Sequence, residues 1–301
     1  MLSIELCGTK LKNPIILASG ILGMNADIIK EVVKNGAGAV TLKSTGTEPR
    51  EGHNNPKVIV WEHGMANCYG LTNPGYKNMD SEWKEIHGLD APIIASVFGA
   101  TVDEFVELAR YMAMHTDMIE LNLSCPNTKE HGAVFGMKCD VAENVVRSVK
   151  KVSGKIPIIA KLTPQAPNIG EIARACENAG ADAISAINTL GPGMFINIDV
   201  AKPILSFKTG GLSGPAIKPV AVRCIYDIYK SVKIPIIGMG GVCTGKDAIE
   251  LMMAGATAIG IGTGTYYRGI GVFKKVCDEI EDWLKNSEYG SVKELVGVAH
   301  G

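Results

Sequence analysis

The chain has 301 residues, 46% of them hydrophobic and 20% charged, so it can bury enough apolar surface to offset its ordering entropy, which excludes disorder. Thirty basic against thirty-one acidic side chains leave a formal net charge of −1, so nothing pulls the whole molecule toward nucleic acid or an anionic membrane. The departure from average is glycine, 35 of 301 or about 12% against a usual ~7%.

Short β-branched runs recur along the chain. Pro14-Ile15-Ile16 is followed by Gly38-Ala39-Val40-Thr41-Leu42, and a long connection over 45–80 leads to Pro92-Ile93-Ile94. Thr101 then reads as an N-cap with Glu104 three residues on, a capping box opening an amphipathic helix over Asp103 to Met112. Asp117-Met118-Ile119-Glu120-Leu121 precedes a second long connection over 124–140, and Pro157-Ile158-Ile159 follows it. A helix over Ile169 to Ala179 leads to Gly180-Ala181-Asp182-Ala183-Ile184, then to a third long connection over 189–218. Pro235-Ile236-Ile237, a helix over Asp247 to Ala254, and Gly255-Ala256-Thr257-Ala258-Ile259 complete the series.

Proline at a strand's first residue costs no ladder bond, and near-continuous apolar character marks strands buried on both faces of a parallel sheet. Two flavours of strand, opened by Pro or by a Gly-Ala or Asp signal, interleave four times, and helices alternate with them. That pattern predicts an α/β fold, a single (β/α)8 TIM barrel over 1–301, with the long loops after strands 2, 4 and 6 on its C-terminal face. A doubly wound open sheet is the alternative; it is weakened by the lack of a G-x-G-x-x-G after the first strand.

The glycines cluster in Gly238-Met239-Gly240-Gly241-Val242, in Gly260-Ile261-Gly262-Thr263-Gly264-Thr265, and in Gly210-Gly211-Leu212-Ser213-Gly214. The loops after strands seven and eight of such a barrel hold phosphate, because N–H groups without a Cβ in the way can close on an anion. Simple turn glycine would explain one such cluster, but two at the correct strand ends and a third beside them favour phosphate, on either a phosphorylated substrate or a phosphate-tailed cofactor. Other strand ends carry polar groups: Lys43-Ser44, Asn122, Lys161 and Asn188-Thr189. Lys161 lies between Ile158-Ile159-Ala160 and Leu162, so its stem is buried and its charge needs an anionic partner, unless it is a Schiff-base lysine. Ser124-Cys125-Pro126-Asn127 offers a thiol on the same face, either packed or positioned to take a proton.

Eight cysteines (Cys7, Cys68, Cys125, Cys139, Cys176, Cys224, Cys243 and Cys277) form no C-x-x-C pair and read as reduced, mostly core fillers. Six histidines form no zinc pattern, and no metal site is expected. No basic n-region or apolar run of ~20 residues is present, which leads to the expectation of a cytoplasmic protein without a membrane segment; the sequon at Asn122 is set aside on the same ground.

The strings Ala18-Ser19-Gly20, Thr41-Leu42-Lys43-Ser44, Asn67-Cys68-Tyr69-Gly70-Leu71-Thr72-Asn73-Pro74-Gly75, Glu120-Leu121-Asn122-Leu123-Ser124-Cys125-Pro126-Asn127, Ala160-Lys161-Leu162, Ile187-Asn188-Thr189, GGLSGPAIKP over Gly210 to Pro219 and Gly238 to Val242 stand together in this chain. They resemble class 1 dihydroorotate dehydrogenase essentially end to end. The GLTNPG form is more like the NAD-linked two-subunit branch, class 1B, than the fumarate-linked homodimer. The resemblance implies an FMN-dependent oxidoreductase of pyrimidine biosynthesis that converts (S)-dihydroorotate to orotate, with Cys125 as the base. It implies substrate contacts at Lys43, Asn67, Cys68, Tyr69, Gly70, Leu71, Asn122, Asn188 and Thr189. It implies FMN contacts at Ser19, Lys43, Ser44, Ser96, Asn122, Lys161, Ile187, Gly214, Gly240, Gly241, Gly262 and Thr263. It further implies a homodimer that joins an electron-transfer subunit carrying FAD and an iron–sulfur cluster, in a heterotetramer that passes electrons to NAD.

Three departures from the family stand out. Ser96 replaces the usual Asn, Gly52-His53-Asn54-Asn55-Pro56-Lys57 replaces a Gly-Asn-Pro…Pro-Arg loop, and Cys68-Tyr69 replaces smaller or aliphatic residues. They keep open a flavin enzyme acting on another dihydropyrimidine, or one using fumarate or quinone as acceptor. A lyase or aldolase working through Lys161 and a non-catalytic phosphate-binding barrel are the readings from other classes.

Overall fold

Four prolines set the frame of the molecule. In the computed structural model, which describes residues 1–123 and 135–301, Pro14, Pro92, Pro157 and Pro235 each stand one residue before a barrel strand. Numbering the barrel strands alone, β1 is Ile15–Leu17, β2 Ala39–Thr41, β3 Ile93–Val97, β4 Met118–Asn122, β5 Ile158–Leu162, β6 Ala183–Ala186, β7 Ile236–Met239 and β8 Ala258–Ile261. A proline has no N–H to donate, but each of these carbonyls accepts one from the neighbouring strand. Val40 N–H donates to Pro92 (3.0 Å), Ile119 to Pro157 (2.9 Å), Ile184 to Pro235 (2.9 Å) and Ile259 to Pro14 (2.8 Å). The residue after each of three of these prolines donates to a side chain: Ile15 to Asn13, Ile93 to Asp117 and Ile158 to Asp182, at 2.7–2.9 Å. The interleaved sequence pattern is thus the hydrogen-bonding pattern of the barrel's N-terminal rim.

The eight strands run parallel in sequence order and close, with Ile259 of β8 in register with Ile15 of β1. Closure removes both sheet edges and rules out the open doubly wound alternative. The helices around it are α1 (Ala26–Lys34), α2 (Asp80–Ile86), α3 (Val102–Met112), α4 (Cys139–Lys150), α5 (Ile169–Asn178), α6 (Lys218–Tyr229), α7 (Gly245–Met253), α8 (Gly264–Arg268) and α9 (Val272–Lys285). Their stripes follow the helical period. In α3 the buried residues are Phe105, Leu108, Ala109 and Met112. Phe105 is fully buried, which stabilises the fold by about 1.5–3 kcal/mol.

Asn25, Thr101, Asn168 and Thr244 cap α1, α3, α5 and α7 through their side chains. The capping box expected at Thr101 is only half formed. Thr101 accepts from Glu104 N–H, but the Glu104 carboxylate reaches past the cap to the N–H of Ala100 at 2.8 Å. Asp247, one methylene shorter, closes the reciprocal box with Thr244.

The connections over 45–80 and 189–218 are more than loops. Each contributes two strands to one antiparallel sheet, in the spatial order Leu190–Met194, Thr209–Ser213, Gly64–Asn67, Val58–Trp61. This flap has a small core of its own, where Ala66, Cys68 and Leu205 pack with Ile59, Trp61, Phe195 and Phe207. Residues 124–134 of the second long connection, over 124–140, lie outside the described residues. Among the described residues no helix is long and apolar enough to cross a membrane, the seven cysteines are free, and no His/Cys/Asp/Glu group could hold a metal ion.

Candidate active site

The C-terminal ends of seven barrel strands and the inner side of the flap enclose one cleft. Ala18 to Ile21 follow β1, Lys43 and Ser44 follow β2, Asn122 ends β4, and Lys161 lies in β5. Ile187, Asn188 and Thr189 follow β6, Met239 to Val242 the end of β7, and Gly260, Gly262, Thr263 and Gly264 the end of β8. Met65, Asn67, Tyr69, Gly70, Leu71, Ser213 and Gly214 close it from the flap.

Polar side chains on the floor hold one another in place. Asn188 Nδ2 donates to Asn122 Oδ1 at 3.1 Å, and Asn122 Nδ2 donates to Ser44 Oγ at 3.2 Å. Ser44 Oγ lies 3.2 Å from Ser19 Oγ and 2.9 Å from Ser96 Oγ. Thr263 Oγ1 donates to Ser213 Oγ at 2.8 Å, joining the β8 end to the flap. The amide faces are therefore fixed in direction, which a site reading the C=O and N–H edges of a ring requires. At the wall, Lys43 Nζ lies 5.4 Å from the ring centroid of Tyr69, within cation–π range.

Lys161 has the anionic partner its sequence setting called for. Its Nζ lies 3.4 Å from Glu120 Oε1, and the two side chains are only 6% and 2% exposed. Ser96 donates to the same Oε1 at 3.0 Å and Ser185 to Oε2 at 2.9 Å. Sequence reasoning passed over Glu120 as a strand residue; the available signal was a single carboxylate between Ile119 and Leu121 of β4.

The glycines divide into two kinds. Gly241 sits at φ 80°, and a Cβ there would lie 2.7 Å from Lys218 Cβ and 3.0 Å from the Gly214 carbonyl, so its packing against α6 alone requires glycine. Gly262 differs: among the described residues a Cβ there would meet only Ala18 Cβ, at 3.8 Å. The Tyr267 hydroxyl is buried without a hydrogen-bond partner among the described residues, and lies 3.4 Å from where a Gly214 Cβ would be. An opening lined by glycine backbone, with this buried hydroxyl against Gly214, fits the phosphate of a phosphate-tailed cofactor.

Of the described residues expected in the site, all but two line this cleft. Ser96 is buried below it, bonded to Ser44 and Glu120. Cys68 points into the flap's core, with Sγ 3.8 Å from Ser206 Oγ, because alternation along an extended segment turns it away from the side that Asn67 and Tyr69 present to the cleft. Cys125 lies outside the described residues. The 52–57 loop braces the flap from behind, where His53 N–H donates to the Tyr69 carbonyl and the His53 ring stacks on Phe207 at 4.1 Å.

Fold and cleft together define a (β/α)8 barrel with a polar, glycine-lined cleft at its C-terminal mouth. The chain belongs to the dihydroorotate dehydrogenase family, whose model matches residues 1–284. It is 47% identical to the catalytic subunit of dihydroorotate dehydrogenase B (NAD(+)) from Methanocaldococcus jannaschii, over 100% of this chain and 98% of that protein. It is 45% identical to the subunits of the same name from Pyrococcus abyssi, over 99% of each chain, and from Caldicellulosiruptor saccharolyticus, over 98% of each.

Proposed function

We propose that this chain oxidises (S)-dihydroorotate to orotate in pyrimidine biosynthesis, as the NAD-linked, class 1B type of catalytic subunit, with FMN held in the cleft. One observation carries the reading: the open glycine cradle and the ordered Asn122–Asn188–Ser44 floor belong to the same cavity. The residues that would hold FMN are Ser19, Lys43, Ser44, Asn122, Lys161, Ile187, Gly214, Gly240, Gly241, Gly262 and Thr263. When bound, FMN supplies a hydride acceptor.

The chain's own residues do the rest. Lys43, Asn67, Tyr69, Gly70, Leu71, Asn122, Asn188 and Thr189 hold and orient the anionic ring. Cys125 takes the proton from C5 as hydride leaves C6, so the C5–C6 bond becomes double and the two hydrogens depart as proton and hydride. A thiol of ordinary pKa ~8.5 suits that task at mildly alkaline pH. The positive charges of Lys43 and Lys161 favour the substrate carboxylate and the charge that reduction places on a flavin. Ser96 and Cys68 act behind the cleft, which leaves Tyr69 as the departure that faces substrate and weakens the case for a different dihydropyrimidine.

Electrons then pass to NAD through a second subunit carrying FAD and an iron–sulfur cluster, in a cytoplasmic heterotetramer built on a homodimer of this chain. The sequence supports such a division, since it holds neither clustered cysteines nor a dinucleotide fingerprint. Replacing Cys125 by Ser tests the chemistry. Turnover should fall most steeply near neutral pH while FMN stays bound, since a serine hydroxyl is the weaker proton acceptor; unchanged turnover removes Cys125 from the base role.

A further inference from the structure

Beneath the cleft floor, β3, β4, β5 and β6 each turn one polar side chain into the barrel: Ser96, Glu120, Lys161 and Ser185. All four are at most 5% exposed. The register places them side by side, with Ser96 paired to Glu120 and Ser185 to Lys161 across adjacent strands. Glu120 is the hub. Its Oε1 accepts from Ser96 at 3.0 Å and lies 3.4 Å from Lys161 Nζ, while Oε2 accepts from Ser185 at 2.9 Å. Ser96 continues the chain of contacts to Ser44 at 2.9 Å, and Ser44 and Lys161 both line the cleft.

We propose that Glu120 is a positioning residue for Lys161, and that the two form a charge-balanced pair that sets the electrostatic potential felt by the flavin ring. A carboxylate this deeply buried is expensive to desolvate and is retained only where it is paired and hydrogen-bonded. Here two serine hydroxyls and one ammonium satisfy it, and the serines aim it at Lys161. The ammonium has three N–H donors. One is directed at Glu120, which fixes the position of Nζ at the cleft wall and leaves others for a ligand. The field on the cleft side is consequently that of a dipole with its positive end toward the ligand, rather than that of an isolated cation. In a low-dielectric interior the difference is large, because either charge left alone acts without its counter-charge.

The inference rests on the FMN reading above and makes a prediction of sign. Glu120→Gln keeps the shape but removes the negative charge, so the site gains one positive charge and the bound flavin becomes easier to reduce. Lys161→Gln leaves Glu120 alone and makes the flavin harder to reduce. Equilibration of FMN-loaded protein with a reference dye should show shifts of opposite direction, each at least tenfold in the reduced-to-oxidised ratio, about 30 mV for a two-electron couple. Combining the two substitutions should return the potential toward the wild-type value. Shifts in the same direction, or none, would mean that Glu120 only holds the floor together and would overturn the inference while leaving the FMN reading intact. If Glu120→Gln alone fails to fold, recovery of folding and flavin uptake in the Glu120→Gln/Lys161→Gln double variant supports charge balance, and no recovery opposes it. A wild-type chain that takes up no FMN would overturn the cofactor reading and this inference with it.

Discussion

A single methyl group added at Gly262 separates a glycine kept for a ligand from one kept for the fold. Among the described residues the Cβ of alanine there would find only Ala18 Cβ, at an ordinary 3.8 Å, and the backbone is not in the left-handed region. Folding stability should therefore move by no more than about 0.5 kcal/mol. The methyl stands where the cradle would close on phosphate, and one charge-assisted hydrogen bond lost there costs about 1.5–3 kcal/mol, on the order of a 10- to 100-fold loss of FMN affinity. Gly241→Ala is the contrast. At φ 80° it adds about 1–2 kcal/mol of backbone strain, and its Cβ would sit 2.7 Å from Lys218 Cβ, an overlap that costs about 1–3 kcal/mol more. Thermal unfolding of the flavin-free proteins and fluorescence titration with FMN and with riboflavin distinguish the two. Gly262→Ala should melt like the wild type, lose FMN affinity, and keep its riboflavin affinity, because riboflavin lacks the phosphate. A lowered melting temperature with unchanged FMN affinity, or equal losses for the two flavins, would refute the phosphate cradle.

Neighbouring residues 68 and 69 should respond in opposite ways. Cys68→Ala removes a buried sulfur from the flap core and should cost about 1–2 kcal/mol in unfolding free energy while leaving KM for dihydroorotate unchanged. Tyr69→Ala removes the ring beside Lys43 and should raise KM several-fold with little loss of stability, since Tyr69 is 40% exposed. The Lys218–Asp247 pair, 2.8 Å apart, joins α6 to α7 and makes a prediction about pH. Burial pushes the Asp247 carboxyl up, but hydrogen bonds from Lys218 and from the N–H groups of Cys243 and Thr244 outweigh it and hold the folded value below the ordinary one. That contribution is present above the ordinary carboxylate range and is lost as pH falls through the lowered folded value. Asp247→Asn should accordingly lower the melting temperature at pH 7 by an amount equivalent to about 1 kcal/mol, and the gap should close below about pH 4. A gap that persists in acid would show that packing, not charge, is what the substitution removes.

The barrel was legible because its N-terminal rim is written in the sequence: a proline whose carbonyl is used and whose missing N–H is not needed recurs four times. Some strand starts read from Gly-Ala signals came too early. Gly180 and Gly255, at φ 101° and 126°, close the preceding helices, and the strands begin at Ala183 and Ala258. The flap was not legible, since Gly211 pairs with Asn67 across a long sequence separation and its inner strands, Gly64–Asn67 and Thr209–Ser213, are rich in glycine; only Val58–Trp61 carries a strand-forming run. Lys161's need for an anion could be read from its apolar neighbours, whereas its pairing with Glu120 depends on the register between β4 and β5. Cys68 was assigned to the site by its position in a motif; the two-residue period of an extended chain would have turned it away.

The most direct test of the account is to mix the FMN-loaded chain with dihydroorotate in the absence of oxygen and follow the flavin's visible absorbance. The band should bleach in a single turnover, with one orotate formed per flavin. An FMN-loaded chain whose band is unchanged by dihydroorotate, but bleaches with another dihydropyrimidine, would contradict it.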